Sequence, residues 1–188
     1  MSKLEVICGP MFCGKSEELI RRLKRIQIAK KKIIAFKPSI DDRYDKTRIA
    51  SHSGAFIDAV AIDTTKESIE SIVEKSKDAD VVGIDEIQFF DDHIINIVDF
   101  LIDGGKEVVV AGLDKDFRKE PFGPMPMLLA KADYVIKLDA ICVKCGELAT
   151  TTQRIIEGKP AKYSDPIKLV GQKDKYEARC RKCHEILK

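Results

Sequence analysis

The chain of 188 residues has no tryptophan, and aromatic residues make up only 6% of it. That scarcity weighs against a surface built to stack the bases of a nucleic-acid strand. No charge sign dominates either. Lysine and arginine number 33 against 31 acidic residues, for a formal net charge of +2. The balance makes no general case for nucleic acid or an anionic membrane as partner. No apolar run approaches the roughly 20 residues of a membrane span. The first residues lack the n-region and h-region of a secretory signal, so a cytoplasmic protein is expected. Six cysteines in such a chain suggest a reducing compartment with metal or thiol roles, not a disulfide framework. There is no internal repeat and no low-complexity tract. The length suits one full core with a small appendage.

What is present begins at Gly9-Pro10-Met11-Phe12-Cys13-Gly14-Lys15-Ser16. This segment fits G-x-x-x-x-G-K-[ST] at every fixed position. The apolar run Leu4-Glu5-Val6-Ile7-Cys8 leads in as a buried strand, with Cys8 as a core residue. A helical pattern with Leu19, Ile20, Leu23 and Ile26 on one face leads out. Strand, glycine-bounded loop and helix form the context of a phosphate-binding loop. Its backbone N–H groups turn inward toward phosphate oxygens, and the helix start adds positive dipole character. Lys15 then reaches the β- and γ-phosphates, and Ser16 supplies a hydroxyl to Mg²⁺.

The helix over 16–29 is basic on its outer side, through Arg21, Arg22, Lys24 and Arg25; it is either a nucleic-acid patch or, the favoured reading, a solvated face with favourable charge at its C-terminus. A short strand, Ile33-Ile34-Ala35-Phe36, ends at Lys37-Pro38. Residues 39–54 are polar and aperiodic, with Asp41, Arg43 and His52 among them. They form either a mobile surface loop or a flap that closes over a substrate. A strand is expected over 56–62 and an amphipathic helix over 67–77. Val81-Val82-Gly83-Ile84-Asp85-Glu86 is an apolar strand ending in acid, the second half of a nucleotide site. Asp85 is placed to hold Mg²⁺ through water. Glu86 beside it can take a proton from an incoming hydroxyl or water; the competing reading is a surface acid capping the next loop. A helix over 94–102, stopped by Gly104-Gly105, precedes a buried strand over 108–113. The alternation predicts a parallel sheet covered by helices on both faces, with ligands at the C-terminal strand ends. The rim then gathers the phosphate loop, Asp85-Glu86 and the segment after Leu113. The loop over 114–126 carries Phe117 and Phe122, suited to a planar base or to ordinary packing. A short helix over 127–130 and a last core strand over 134–138 complete the α/β part.

At Ile141 the character changes. Cys142-Val143-Lys144-Cys145 is answered by Cys180-Arg181-Lys182-Cys183. Paired C-x-x-C knuckles are a strong sign of tetrahedral zinc, here closed and structural because four thiolates are available. His184 is a weaker candidate ligand. Strands are expected over 148–156 and 167–170. The insert is too small to bury a core, so metal binding should supply much of its folding free energy.

The chain resembles the cytosolic-type (type II) thymidine kinases, which join a P-loop NTPase-type α/β domain to a zinc-binding lasso. The resemblance rests on the phosphate loop, Lys37-Pro38 with Asp41-x-Arg43-Tyr44, Ser51-His52-x-Gly54 and Asp85-Glu86-x-Gln88-Phe89-Phe90. Gly112-Leu113-Asp114-x-x-Phe117, Pro121-Phe122-Gly123, the two knuckles and Asp174-Lys175-Tyr176 extend it over nearly the whole chain. It implies a domain over 1–140 that binds ATP and a zinc-bearing lid over 141–188 that closes on the nucleoside. It implies phosphoryl transfer from ATP to the 5′-hydroxyl of thymidine, and to deoxyuridine, which lacks only one methyl. By resemblance Glu86 is the general base, with Lys15 and Arg43 stabilising the transferring phosphoryl group. Gly9, Pro10, Met11, Phe12, Cys13, Gly14, Lys15 and Ser16 hold the phosphates, joined by Asp85, Glu86, Ile87 and Gln88. Ser16 and Asp85 attend Mg²⁺. Met11, Phe89, Leu113, Phe117 and Tyr176 enclose the nucleoside, while Ile167, Lys168, Leu169, Val170 and Gly171 offer backbone groups to the thymine edge. Cys142, Cys145, Cys180 and Cys183 hold zinc. A homotetramer inhibited by thymidine triphosphate is the family expectation.

One departure from the family is Cys13, where serine is usual. A thiol near a helix N-terminus and Lys15 is expected to have a lowered pKa and to be oxidant-sensitive. The competing reading of the whole chain is a nucleic-acid-dependent P-loop ATPase whose zinc ribbon grips a strand. Lys144, Arg179, Arg181 and Lys182 would serve it, but aromatics there are sparse.

Overall fold

A computed structural model describes residues 2–40, 47–51, 54–167 and 175–188. Asp41, Arg43, His52, Lys168, Leu169, Val170, Gly171 and Asp174 lie outside the described residues. The first strand, β1 (Lys3–Cys8), runs into the phosphate loop and then α1 (Lys15–Ile28). Strand β2 (Ile33–Pro38) follows, then a short antiparallel pair, β3 (Arg48–Ala50) and β4 (Phe56–Asp58). Next come β5 (Val60–Ile62), α2 (Lys66–Lys75), β6 (Val81–Ile84), α3 (His93–Asp103) and β7 (Glu107–Gly112). Helix α4 (Met125–Lys131) and β8 (Tyr134–Lys137) close the α/β part.

Six strands form one sheet in the order β5-β2-β6-β7-β1-β8. Every neighbouring pair in it is parallel. Strand alternation explains why the sheet needs cover on both faces. Leu4, Val6 and Cys8 enter one core with Ile69 and Ile72 of α2, Ile94 and Val98 of α3 and Leu128 of α4. Ile7 points the other way, into a second core with Leu19, Ile20 and Leu23 of α1 and with Ile49 and Ile57 of the β3–β4 pair. Parallel strands put the phosphate loop after β1, Asp85 after β6 and Leu113 after β7 on the same rim, with β7 lying between β1 and β6.

Two expectations change in the α/β part. The strand over 56–62 is two strands, because Asp58 ends the pairing with β3 and Val60 starts the parallel pairing with β2. The Ala59 N–H between them donates to Thr47. The strand over 134–138 is an edge, not a core strand: among the described residues it pairs with β1 on one side only, and Tyr134 is 59% exposed.

Beyond Leu138 the elements become short. Strands β9 (Ala140–Ile141) and β10 (Leu148–Ala149) pair antiparallel. Strands β11 (Thr151–Ile156), β12 (Lys159–Pro160) and β13 (Lys175–Arg179) form a three-stranded antiparallel sheet with β11 central. The expected strand over 148–156 is thus divided between two sheets. Ile167 is in a bend rather than a strand. Among the described residues, no helix is long and apolar enough to cross a membrane.

Candidate phosphate and nucleoside site

The loop between β1 and α1 is held in one shape by two constraints. Gly9 has φ 147°, and a Cβ there would sit 2.3 Å from the Leu138 carbonyl oxygen, so the strand exit demands glycine. Gly14, at φ 83°, is the N-cap of α1, leaving the first N–H groups of the helix without a capping side chain. Lys15 is only 8% exposed. Its Nζ donates to the Pro10 carbonyl at 2.6 Å, so the ammonium is held over the loop. Ser16 is half-buried in the first turn of α1, while Phe12 projects outward.

Cys13 departs from expectation. Burial pushes its thiol up, and the neighbouring Lys15 offsets only part of this. The thiol packs against the cysteine-bearing cluster of Ala140, Cys142, Ala149 and Ala178. The oxidant-sensitive thiolate expected at this position therefore loses its electrostatic basis. Burial likewise pushes the Cys8 thiol up to about 11, in keeping with an inert core residue.

At the end of β6 the backbone makes an abrupt turn. Asp85 donates its N–H to Phe36 of β2 at 2.9 Å, which holds it against the sheet. Glu86 adopts φ 49°, a left-handed conformation uncommon for a side-chain-bearing residue. Its own N–H donates to the Asp85 carboxylate at 3.0 Å. A 3₁₀ turn, Ile87–Phe89, follows. Asp85 and Glu86 are both buried, at 5% and 8% exposure. Gln88 is deeper still, and its side chain joins Glu86 to Leu113.

The nucleoside candidates Met11, Phe89, Phe117 and Tyr176 come from four separate segments of the chain. Phe89 is half-buried and meets Phe122 edge to face, with ring centroids 5.7 Å apart. Phe117 is 5% exposed in a turn fixed by Asp116, whose carboxylate accepts from the N–H groups of Arg118 and Glu120. The guanidinium of Arg154 lies 5.2 Å from the Phe117 ring centre. The same guanidinium donates to the Pro166 carbonyl at 2.6 Å, at the root of the segment that carries Ile167. Tyr176 stands opposite Arg154 in the β11–β13 register. Met11 is half-buried, and its N–H donates to Thr152 Oγ1 at 3.0 Å. The phosphate loop is thereby fastened to β11.

The four knuckle sulfurs lie within 4.8 Å of one another, so Cys142, Cys145, Cys180 and Cys183 form a cluster that can hold a metal ion. Cys145 Sγ and Cys180 Sγ are 3.7 Å apart. A tetrahedral Zn–S bond of about 2.3 Å requires sulfurs about 3.8 Å apart, so the donor set fits zinc in spacing as well as in softness. Burial acts upward on Cys142, but backbone N–H groups of Cys180, Lys144 and Cys145 outweigh it and bring the thiol down to about 6. The Cys145 sulfur and burial push Cys183 up to about 12. His184 is turned away from the cluster, and its Nε2 donates to the Phe117 carbonyl at 2.8 Å. Burial holds the ring below the usual histidine pKa.

Thr152, Gln153, Arg154 and His184 carry contacts that the sequence reading did not assign. Gln153 grips the Glu185 backbone at both ends of its amide, each at 2.8 Å. One signal was available: Thr151-Thr152-Gln153-Arg154 is a polar run inside a strand pattern, and all four side chains are buried.

A phosphate loop and a buried acidic strand end on one rim of a parallel sheet make this a P-loop fold. The chain belongs to the thymidine kinase family, whose model matches residues 2–184. Among solved structures it is similar to one described as the crystal structure of a DNA replication initiation factor, at 13% identity and a TM-score of 0.45. That match covers 73% of this chain and 40% of the other, so the chain spans less than half the length of that structure.

Proposed function

We propose that the chain transfers the γ-phosphoryl group of ATP to the 5′-hydroxyl of thymidine, and of deoxyuridine, in nucleotide salvage. The family match over residues 2–184 carries this reading. Residues 1–140 serve as the ATP-binding domain and 141–188 as a lid over the nucleoside. Gly9, Pro10, Met11, Phe12, Cys13, Gly14 and Lys15 cradle the phosphates. Ser16 and Asp85 hold Mg²⁺, which neutralises charge on the phosphates. Glu86 accepts the proton of the 5′-hydroxyl as its oxygen attacks phosphorus, and ADP leaves with the bridging oxygen. Buried acid at a fixed strand end supports that role, since its orientation is set before substrate arrives. Arg43 stabilises charge on the transferring group. Met11, Phe89, Leu113, Phe117 and Tyr176 enclose the nucleoside, and the backbone of Ile167, Lys168, Leu169, Val170 and Gly171 meets the thymine edge. The knuckles hold structural zinc. A cytoplasmic homotetramer with thymidine triphosphate as feedback inhibitor completes the reading.

ADP release from Mg²⁺–ATP tests it, with each nucleoside offered in turn to the parent and to Glu86→Gln. The expected signal depends on thymidine and falls about 10²- to 10⁴-fold in the variant. A signal indifferent to nucleosides but raised by single-stranded DNA would overturn it in favour of a nucleic-acid-dependent ATPase.

A further inference from the structure

Gln88 is the central residue of the 3₁₀ turn that follows Glu86, and it is 1% exposed. Both ends of its amide are engaged. Oε1 accepts from the Leu113 backbone N–H at 3.0 Å, and Nε2 donates to a Glu86 carboxylate oxygen at 2.5 Å. The orientation of the amide is not arbitrary. A backbone N–H can only donate, so the atom facing Leu113 must be oxygen, and the NH₂ group is left for Glu86. The cavity around the amide is closed as well. A Cβ on Gly112 would lie 2.6 Å from Gln88 Oε1 and 3.0 Å from the Met125 sulfur. The end of β7 is therefore glycine where it passes the amide, since any side chain there would press on it.

We infer that Gln88 acts as a positioning residue for Glu86, not as a contact to the nucleotide. This rests on the reading of Glu86 as general base. Leu113, on the nucleoside side, and Glu86, on the reacting side, are tied to one amide. The base is thus held in register with the wall that orients the sugar, a geometry in which small displacements are costly.

Gln88→Glu replaces the donor by an acid. It keeps an acceptor for Leu113 but sets a carboxylate against Glu86. Steady-state kinetics with thymidine are measured for Gln88→Glu, Glu86→Gln and the double variant, with thermal melting alongside. The expected result is a loss of about 10- to 100-fold in kcat with the KM for ATP little changed. In the Glu86→Gln background the same substitution should change kcat by less than about twofold, because Gln88 acts through the group already removed. A parent-like kcat in Gln88→Glu would overturn the inference, as would an equal loss in the Glu86→Gln background. A rise in ATP KM that accounts for the whole loss would assign Gln88 to the nucleotide instead. If Glu86→Gln itself keeps the parent kcat, the base assignment fails and the inference falls with it. If Glu86→Gln is inactive and Gln88→Glu is not, the inference alone fails. Should Gln88→Glu lose its cooperative melting transition, Gln88→Met, similar in length and lacking a donor, replaces it with the same expected values.

Discussion

The sheet and the knuckle region are held together by different physics. In the sheet, Val6, Ile84, Val108 and Val110 are wholly buried, backed by two helix-covered cores. Past Leu138 the clustered apolar set shrinks to Ala140, Cys142, Ala149 and Ala178. Around it Thr151, Thr152, Gln153, Arg154 and His184 are buried instead. At about 25 cal/mol per Å² of apolar surface, four small side chains contribute little. What remains is hydrogen bonding and the sulfur cluster. The phosphate loop touches both regimes, since Gly9 packs on Leu138 while Met11 donates to Thr152. The loop is anchored on the sheet side through Leu138 and tethered to the knuckle side through Thr152.

The largest test of that contrast is metal removal. Structural zinc sites contribute about 10–16 kcal/mol to folding at neutral pH. Treatment with a chelator should expose residues 141–188 to trypsin while 1–140 stays protected and still melts cooperatively, as read by mass spectrometry of the fragments and by circular dichroism. Loss of both parts in a single step would erase the distinction drawn here. A smaller effect is expected at the tether. Thr152→Val removes the acceptor for Met11, worth about 1 kcal/mol, or roughly fivefold in the KM for ATP. An unchanged KM would mean that the loop needs no tether. The smallest effect concerns Cys13. With its thiol pushed up by burial, Cys13→Ser should lose activity to peroxide at the parent's rate. A slower loss would show the thiol to be more open than its packing on the knuckle cluster indicates.

The difference between the two regions also governs what could be seen in advance. The phosphate loop, the acidic end of β6 and the C-x-x-C pairs were legible because each is a contiguous pattern whose chemistry sits in neighbouring residues. The parallel sheet was legible from apolar runs alternating with helical periods. What escaped was long-range. Met11 meets Thr152 across 141 positions, His184 meets Phe117 across 67, and Gln88 meets Leu113 across 25. No local period marks such partners. The break between β4 and β5 escaped because apolar residues continue through Ala59 while the pairing partner changes. The edge position of β8 escaped because an edge strand and a core strand share the same run of Tyr134-Val135-Ile136. Arg43 and the segment 168–171 lie outside the described residues, and their roles stand on the family alone.

The placement of β1 bears on how the molecule is made. It is synthesised before both of its partners, β7 and β8, with Lys3 facing Glu107 and Glu5 facing Tyr134. Ribosomes add residues at about 5–20 per second. Strand β1 therefore waits several seconds, unpaired, for neighbours about a hundred or more positions downstream. Such distant pairing is slow to nucleate and leaves apolar strand surface uncovered meanwhile. The phosphate loop, pressed against the Leu138 carbonyl, is consequently made well before the contact that fixes its final shape.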